Sequence, residues 1–184
     1  MRHERLLTTD RCMVLVIDMQ EAFAKVIDGF DALVKKTCIL VQAAALLDVP
    51  VIVSEQYPKG LGKTVEGLQE HLSNASVFEK VEFSCLQNAD LAQAVHGQQR
   101  DQLLIAGVET HVCVAQTAAD ALAMDLQPSL LCDAVGCRHP FDGEIAISRL
   151  SQYGVAATTV EAAILEMAVT SRHPAFKQIS ALIK

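Results

Sequence analysis

Short runs of branched aliphatic residues, each followed by a stretch with helical spacing, constrain the fold of this chain more than any other feature. The first run, MVLVIDM (13–19), is continuously apolar up to a carboxylate. It is too short for a helix and rich in Val and Ile, so it reads as a strand buried on both faces. VIVSE (51–55), SVFEK (76–80), DQLLIAGV (101–108) and SLLCDAV (129–135) read as further strands, and a short sixth is expected near Val155. Residues 30–47 place Leu33, Val34, Ile39, Leu40 and Leu47 at helical spacing. Helices are also expected over 89–97, closed by Gly97, and over 110–125, with Thr110 as N-cap. Three more follow, over 143–153, 160–167 and 175–183.

Buried strands that alternate with helices imply a parallel sheet covered on both faces. Right-handed crossovers leave few arrangements, of which the three-layer doubly wound α/β fold is the commonest. A chain of 184 residues suffices for one domain over its whole length, and no repeat, low-complexity tract or linker divides it. In such sheets ligands bind beyond the carboxyl ends of the strands, near the point where strand order reverses. Chemistry is therefore expected just after the strands.

Three residues stand at those positions. Asp18 ends the first strand, Lys80 ends the third, and Cys113 lies just past the fourth, near a helix start. Singly, each has an ordinary reading: a turn carboxylate, a solvated lysine, a buried structural thiol. Together they put a base, a cation and a thiol at one end of one sheet, a set able to run nucleophilic catalysis. The N–H groups at a helix start favour an anion, so a lowered thiol pKa is expected at Cys113.

The residues IDMQ after the first strand, the lysine after the third, and GVETHVCV after the fourth resemble the isochorismatase-like cysteine hydrolases. The likeness runs from about Arg11 to Ala168. It implies a six-stranded parallel sheet of order 3-2-1-4-5-6. It also implies that Cys113 is the nucleophile, Asp18 its general base and Lys80 the stabilising cation. The backbone N–H groups of Cys113 and Glu109 would hold the oxyanion, with a cis peptide between Val108 and Glu109. Nicotinamidases of this family bind a metal through an Asp-x-His arrangement after the second strand. Here that stretch reads SEQYPKGLGKT, without histidine. It resembles instead a metal-free branch, the isochorismatase domain-containing proteins, so neither metal nor cofactor is expected. True isochorismate hydrolases need no cysteine nucleophile, so Cys113 favours C–N or carbonyl chemistry on a small molecule.

Gln20, Phe23, Glu55, Tyr57, Phe83, His111 and Phe141 lie in loops expected to ring the crevice, and are candidate substrate contacts. GLGKT (60–64) imitates a phosphate loop, but the pattern needs glycine where Tyr57 stands. His111, Cys113, Cys137 and His139 lack zinc-site spacing. Cys137, after the fifth strand, is the second-choice thiol. Cys12, Cys38 and Cys132 read as small buried hydrophobes.

The net charge of −7, without a run of either sign, argues against nucleic acid. No apolar run approaches the roughly 20 residues of a membrane span, and MRHERLLTTDRC lacks the apolar centre of a secretory signal. A cytoplasmic protein with reduced thiols is expected, a mitochondrial address being left open. Family likeness and apolar composition point to a homo-oligomer. Two other functions are compatible with the same fold: a catalytically silent binding module, and a redox-sensing thiol protein.

Overall fold

The structure is a computed structural model that describes residues 2–184. Met1, the first residue of the N-terminal segment read above, lies outside the described residues. Six strands form one sheet: β1 (Cys12–Ile17), β2 (Val51–Gln56), β3 (Ser76–Lys80), β4 (Gln102–Val108), β5 (Gln127–Gly136) and β6 (Ala156–Thr158). Their order is β3-β2-β1-β4-β5-β6 and every pairing is parallel. The expected doubly wound sheet is therefore present, with β1 and β4 side by side where the order reverses.

The helices are α1 (Phe30–Leu46), α2 (Pro58–Leu61), α3 (Glu66–Gln69), α4 (Ala89–Gly97), α5 (Ala115–Ala123), α6 (Pro140–Tyr153), α7 (Val160–Ala168) and α8 (Phe176–Leu182). Successive side chains of a strand point to opposite faces, and β1 shows the consequence. Val14 and Val16 join a core with α1, α7 and α8 on one face. Met13, Leu15 and Ile17 join a second core with α4, α5 and α6 on the other. Both central strands are buried throughout, as their unbroken apolar sequences require.

Three local features differ from the sequence expectation. Thr110 does not cap a helix: residues Thr110–Val114 form a π-helical turn, and α5 begins only at Ala115. The first turn closes on backbone, with the Glu109 carbonyl accepting from the N–H groups of Val112 and Val114. Helix α6 starts at Pro140 rather than 143, because proline fits the first helical position, where its missing N–H costs nothing. The strand SVFEK is present at the expected residues, as an edge strand in which Lys80 alone is buried. The stretch after β2 holds α2 and α3, each of four residues and too short to show a helical period.

Candidate active site

The chain leaves β1 at Asp18 with φ of 53°, a left-handed conformation that Asp adopts more readily than most residues. Its N–H donates to the Ser54 carbonyl of β2 at 3.1 Å. At this turn Asp18 is wholly buried. The Lys80 ammonium donates to Asp18 Oδ2 at 2.7 Å, and both side chains are fully enclosed. The same Nζ reaches Gln56 Oε1 at 2.6 Å and the carbonyls of Glu82 and Phe83 at 3.2 and 3.3 Å. An ammonium has three donors and no acceptor, so this shell of oxygens satisfies it. Burial opposes its charge, but Asp18 first, then Cys85 and Cys113, more than offset this and hold the ammonium above the usual lysine range.

Cys113 reaches the pair from the other side. After β4 the Val108–Glu109 peptide is cis, and the π-helical turn follows. The turn puts Cys113 in the core layer of Ile17 and Ile105, with only 6% of its surface exposed. The expected lowered thiol pKa is not what this environment gives. Burial pushes the Cys113 thiol up to about 12, the negative Asp18 beside it adds to the rise, and Lys80 offsets only part. Desolvation of the enclosed sulfur outweighs the pull of the N–H groups at the helix start.

The Glu109 carboxylate turns away from the thiol to Arg138, which donates from Nε and the backbone N to Oε2 at 2.9 and 3.0 Å. A third bond runs from the Arg138 guanidinium to Oε1 at 3.0 Å. Burial raises the Glu109 carboxyl, but these bonds outweigh it and hold it below the usual range. The arrangement pins the backbone on which the Glu109 N–H sits. Among the described residues no protein acceptor takes that N–H.

The seven loop residues proposed as pocket contacts divide into three groups. Gln20 and Glu55 are buried and already engaged in hydrogen bonds with neighbouring segments. Gln20 brackets β2 and the following loop, donating to the carbonyls of Gln56 and Gly62 and accepting from the Gln56 N–H. Glu55 accepts from the Thr64 N–H and hydroxyl at 2.8 and 2.9 Å and pairs with Lys63 at 3.0 Å. The GLGKT segment is thus folded back on a carboxylate rather than open to a phosphate. Tyr57, Phe83 and Phe141 are exposed, and Tyr57 lines a groove of about 300 Å³ with Pro58, Lys59 and Lys80. Phe23 and His111 are intermediate: Phe23 packs on the core beneath α1. His111 Nδ1 is buried without a hydrogen-bond partner, and its Nε2 lies 3.9 Å from Asp142.

Cys137 is not the second thiol of the site. Its Sγ donates to the His139 carbonyl, and the charges that act on it are Glu109 and Asp142. Cys85 takes that place: it is fully buried, and its Sγ lies 3.5 Å from Ser54 Oγ. Burial first, then Asp18, pushes the Cys85 thiol up to about 11. Ser54, Gln56, Cys85 and Arg138 were all missed by the sequence reading. The signal for two of them was present in β2, where Ser54 and Gln56 are two residues apart and so share a face. Among the described residues no cluster of three His, Cys, Asp or Glu side chains is arranged to hold a metal. No described helix is long and apolar enough to cross a membrane.

Glu55 supports a prediction of its own. Burial raises its carboxyl, but the bonds from Thr64 and Lys63 outweigh burial and leave it below the usual range. A carboxyl held low in the folded state stabilises above its unfolded pKa of about 4.3, and that contribution is lost as pH falls through the folded value. Glu55→Gln is therefore expected to cost about 2 kcal/mol at pH 7 in urea denaturation, and clearly less near pH 3.

The profile of the isochorismatase domain matches residues 12–162, which include all six strands and every residue of this constellation. The chain belongs to the isochorismatase family. Isochorismatase domain-containing protein 1 of Salmo salar is 41% identical over 169 residues, 91% of this chain and 59% of that protein. The chain thus spans 59% of the length of this relative, and the same share of its Danio rerio counterpart. Isochorismatase domain-containing protein 2 of Danio rerio is 35% identical, with 96% and 89% of the two chains covered. Among solved structures, one described as the MAR1 ribonuclease of Caenorhabditis elegans is 36% identical with a TM-score of 0.91, covering 96% of this chain and 91% of that one. This isochorismatase-family chain thus shares nearly its whole length with proteins of the branch that its SEQYPKGLG segment suggested.

Proposed function

We propose that this protein is a cysteine hydrolase that cleaves a small amide, ureido compound or similar carbonyl substrate through a thioester on Cys113. The observation that carries this reading is the enclosed Asp18–Lys80 pair beside an enclosed thiol. A structural role would be a poor account of two buried charges, since a well-packed apolar pair is usually at least as stabilising.

Cys113 rests as a neutral thiol, so its proton must leave as the sulfur attacks. Asp18 accepts the proton, the Sγ–C bond forms, and the carbonyl oxygen becomes an oxyanion held by the N–H groups of Glu109 and Cys113. Collapse restores the carbonyl and breaks the C–N bond, while Asp18 returns the proton to the leaving nitrogen. Water then attacks the thioester and gives its proton to Asp18. The C–S bond breaks, and the sulfur recovers the proton as the carboxylic acid departs. Lys80 keeps the carboxylate charged between transfers and steadies the anionic sulfur.

A redox-sensing role needs a thiolate at neutral pH, and the raised Cys113 thiol weakens that reading. The net charge of −7 and the enclosed thiol favour a small neutral substrate over a polyanion such as RNA. A panel of small primary amides, ureido compounds and activated esters, scored for release of ammonia or acid, tests the reading. Turnover that is lost in Asp18→Asn supports it, whereas turnover indifferent to that change removes the base.

A further inference from the structure

Each oxygen of Asp18 already accepts one hydrogen bond and keeps a second lone pair for the thiol proton. Oδ2 takes the Lys80 ammonium at 2.7 Å. Oδ1 takes the Ser54 hydroxyl at 2.6 Å, with both residues wholly buried. A carboxylate accepts and cannot donate, so the Ser54 hydrogen is committed to Asp18. The remaining lone pairs of Ser54 Oγ face Cys85 Sγ at 3.5 Å, and Cys85 must be the donor there. Cys85 keeps its hydrogen because its thiol is pushed up to about 11, by burial first and by Asp18 next. Its backbone N–H is in turn fixed by Thr117 Oγ1 at 2.9 Å, one helical turn beyond Cys113. The charged and titratable groups facing Asp18 are thus Lys80 from β3, Cys85 from the segment after it, and Cys113 from the π-helical turn.

We infer that Ser54 is the positioning residue of the catalytic base: polarised by Cys85, it locks the rotation of the Asp18 carboxylate that accepts the Cys113 proton. The inference rests on the proposed hydrolase reading and extends it to a residue that never touches substrate. The bond is short, enclosed and of one polarity, and a hydrogen bond given to a carboxylate favours its charged form.

The test is the pH dependence of Cys113 alkylation by iodoacetamide, read by peptide mass spectrometry, in wild type, Ser54→Ala, Ser54→Thr and Asp18→Asn. Loss of the Ser54 donor should move the acid limb of the Cys113 profile to higher pH by about one unit, the size expected when a hydrogen bond to a charged group is removed. The rate at a pH well below the wild-type limb should then fall about tenfold, and Ser54→Thr should restore both. If Ser54→Ala does not fold, Ser54→Thr and Ser54→Val carry the same comparison, being matched in shape and different by one hydroxyl. A hydroxyl that served only to pack the site would change melting temperature without moving the limb. An unmoved limb, together with a Cys113 profile that changes in Asp18→Asn, overturns the role of Ser54 and leaves the base assignment standing. Alkylation indifferent to Asp18→Asn overturns both.

Discussion

Replacing Cys113 by alanine is expected to lower turnover by about 10⁴-fold or more, the scale on which nucleophile deletions act in enzymes with a covalent intermediate. Folding should survive, since the change removes one sulfur from an aliphatic layer and costs about 1–2 kcal/mol. Cys113→Ser should be as inactive as alanine, because a hydroxyl holds its proton far more tightly than even this raised thiol. The wild-type pH dependence should carry a second mark of the same chemistry. With the thiol pushed up to about 12 by burial and by Asp18, the fraction of free thiolate keeps rising through pH 9 and beyond. Iodoacetamide should therefore modify Cys113 faster at pH 11 than at pH 10, where an exposed thiol has nearly levelled off. Steady-state assays on the variants, with folding checked by circular dichroism, decide the first point. A plateau below pH 8.5 would contradict the second.

Gly107→Ala is expected to abolish soluble folded protein, or to destabilise it by more than about 4 kcal/mol, the scale reserved for a few severe mechanisms. Gly107 pairs with Ile17 in the register of β1 and β4 and has φ of 120°, where a side chain is strained in any surroundings. A Cβ there would also collide with the Ile17 carbonyl, a backbone atom in the central strand that cannot withdraw. The position matters because Gly107 lies between the turn that aims Asp18 and the peptide that leads to Glu109. The β4–β5 register also jumps here, from Ile105–Leu130 to Gly107–Val135. Yield and thermal melting of the variant check the expectation, and a protein melting near wild type would show that β1 and β4 can separate to admit a methyl group.

The sheet was legible because its central strands carry one message without interruption. MVLVI and QLLIAGV are buried at every position, and a doubly wound sheet is the simplest way to cover both faces of such runs. Asp18 breaks the apolar run of β1, whereas Lys80 ends a strand of mixed polarity and Cys113 sits among apolar neighbours, so those two were marked only by their place after a strand end. What escaped depends on contacts between segments far apart in sequence. Ser54 and Cys85 join the site only once β2 lies beside β1 and the segment after β3 folds under it. Gln20 and Glu55 look like exposed polar loop residues until the Gly62–Thr64 segment turns back onto them. The Cys113 pKa was misjudged because a local rule about helix starts does not include burial, which is a property of the whole fold.

The central claim is a covalent thioester on Cys113, and rapid-quench peptide mass spectrometry after mixing with p-nitrophenyl acetate tests it most directly. The account predicts one hydroxylamine-labile acetyl group on the Cys113 peptide, absent in Cys113→Ala and slow to form in Asp18→Asn. A labile acetyl group on Cys85 or Cys137 instead, or acetylation of Cys113 at the same rate with and without Asp18, would contradict it.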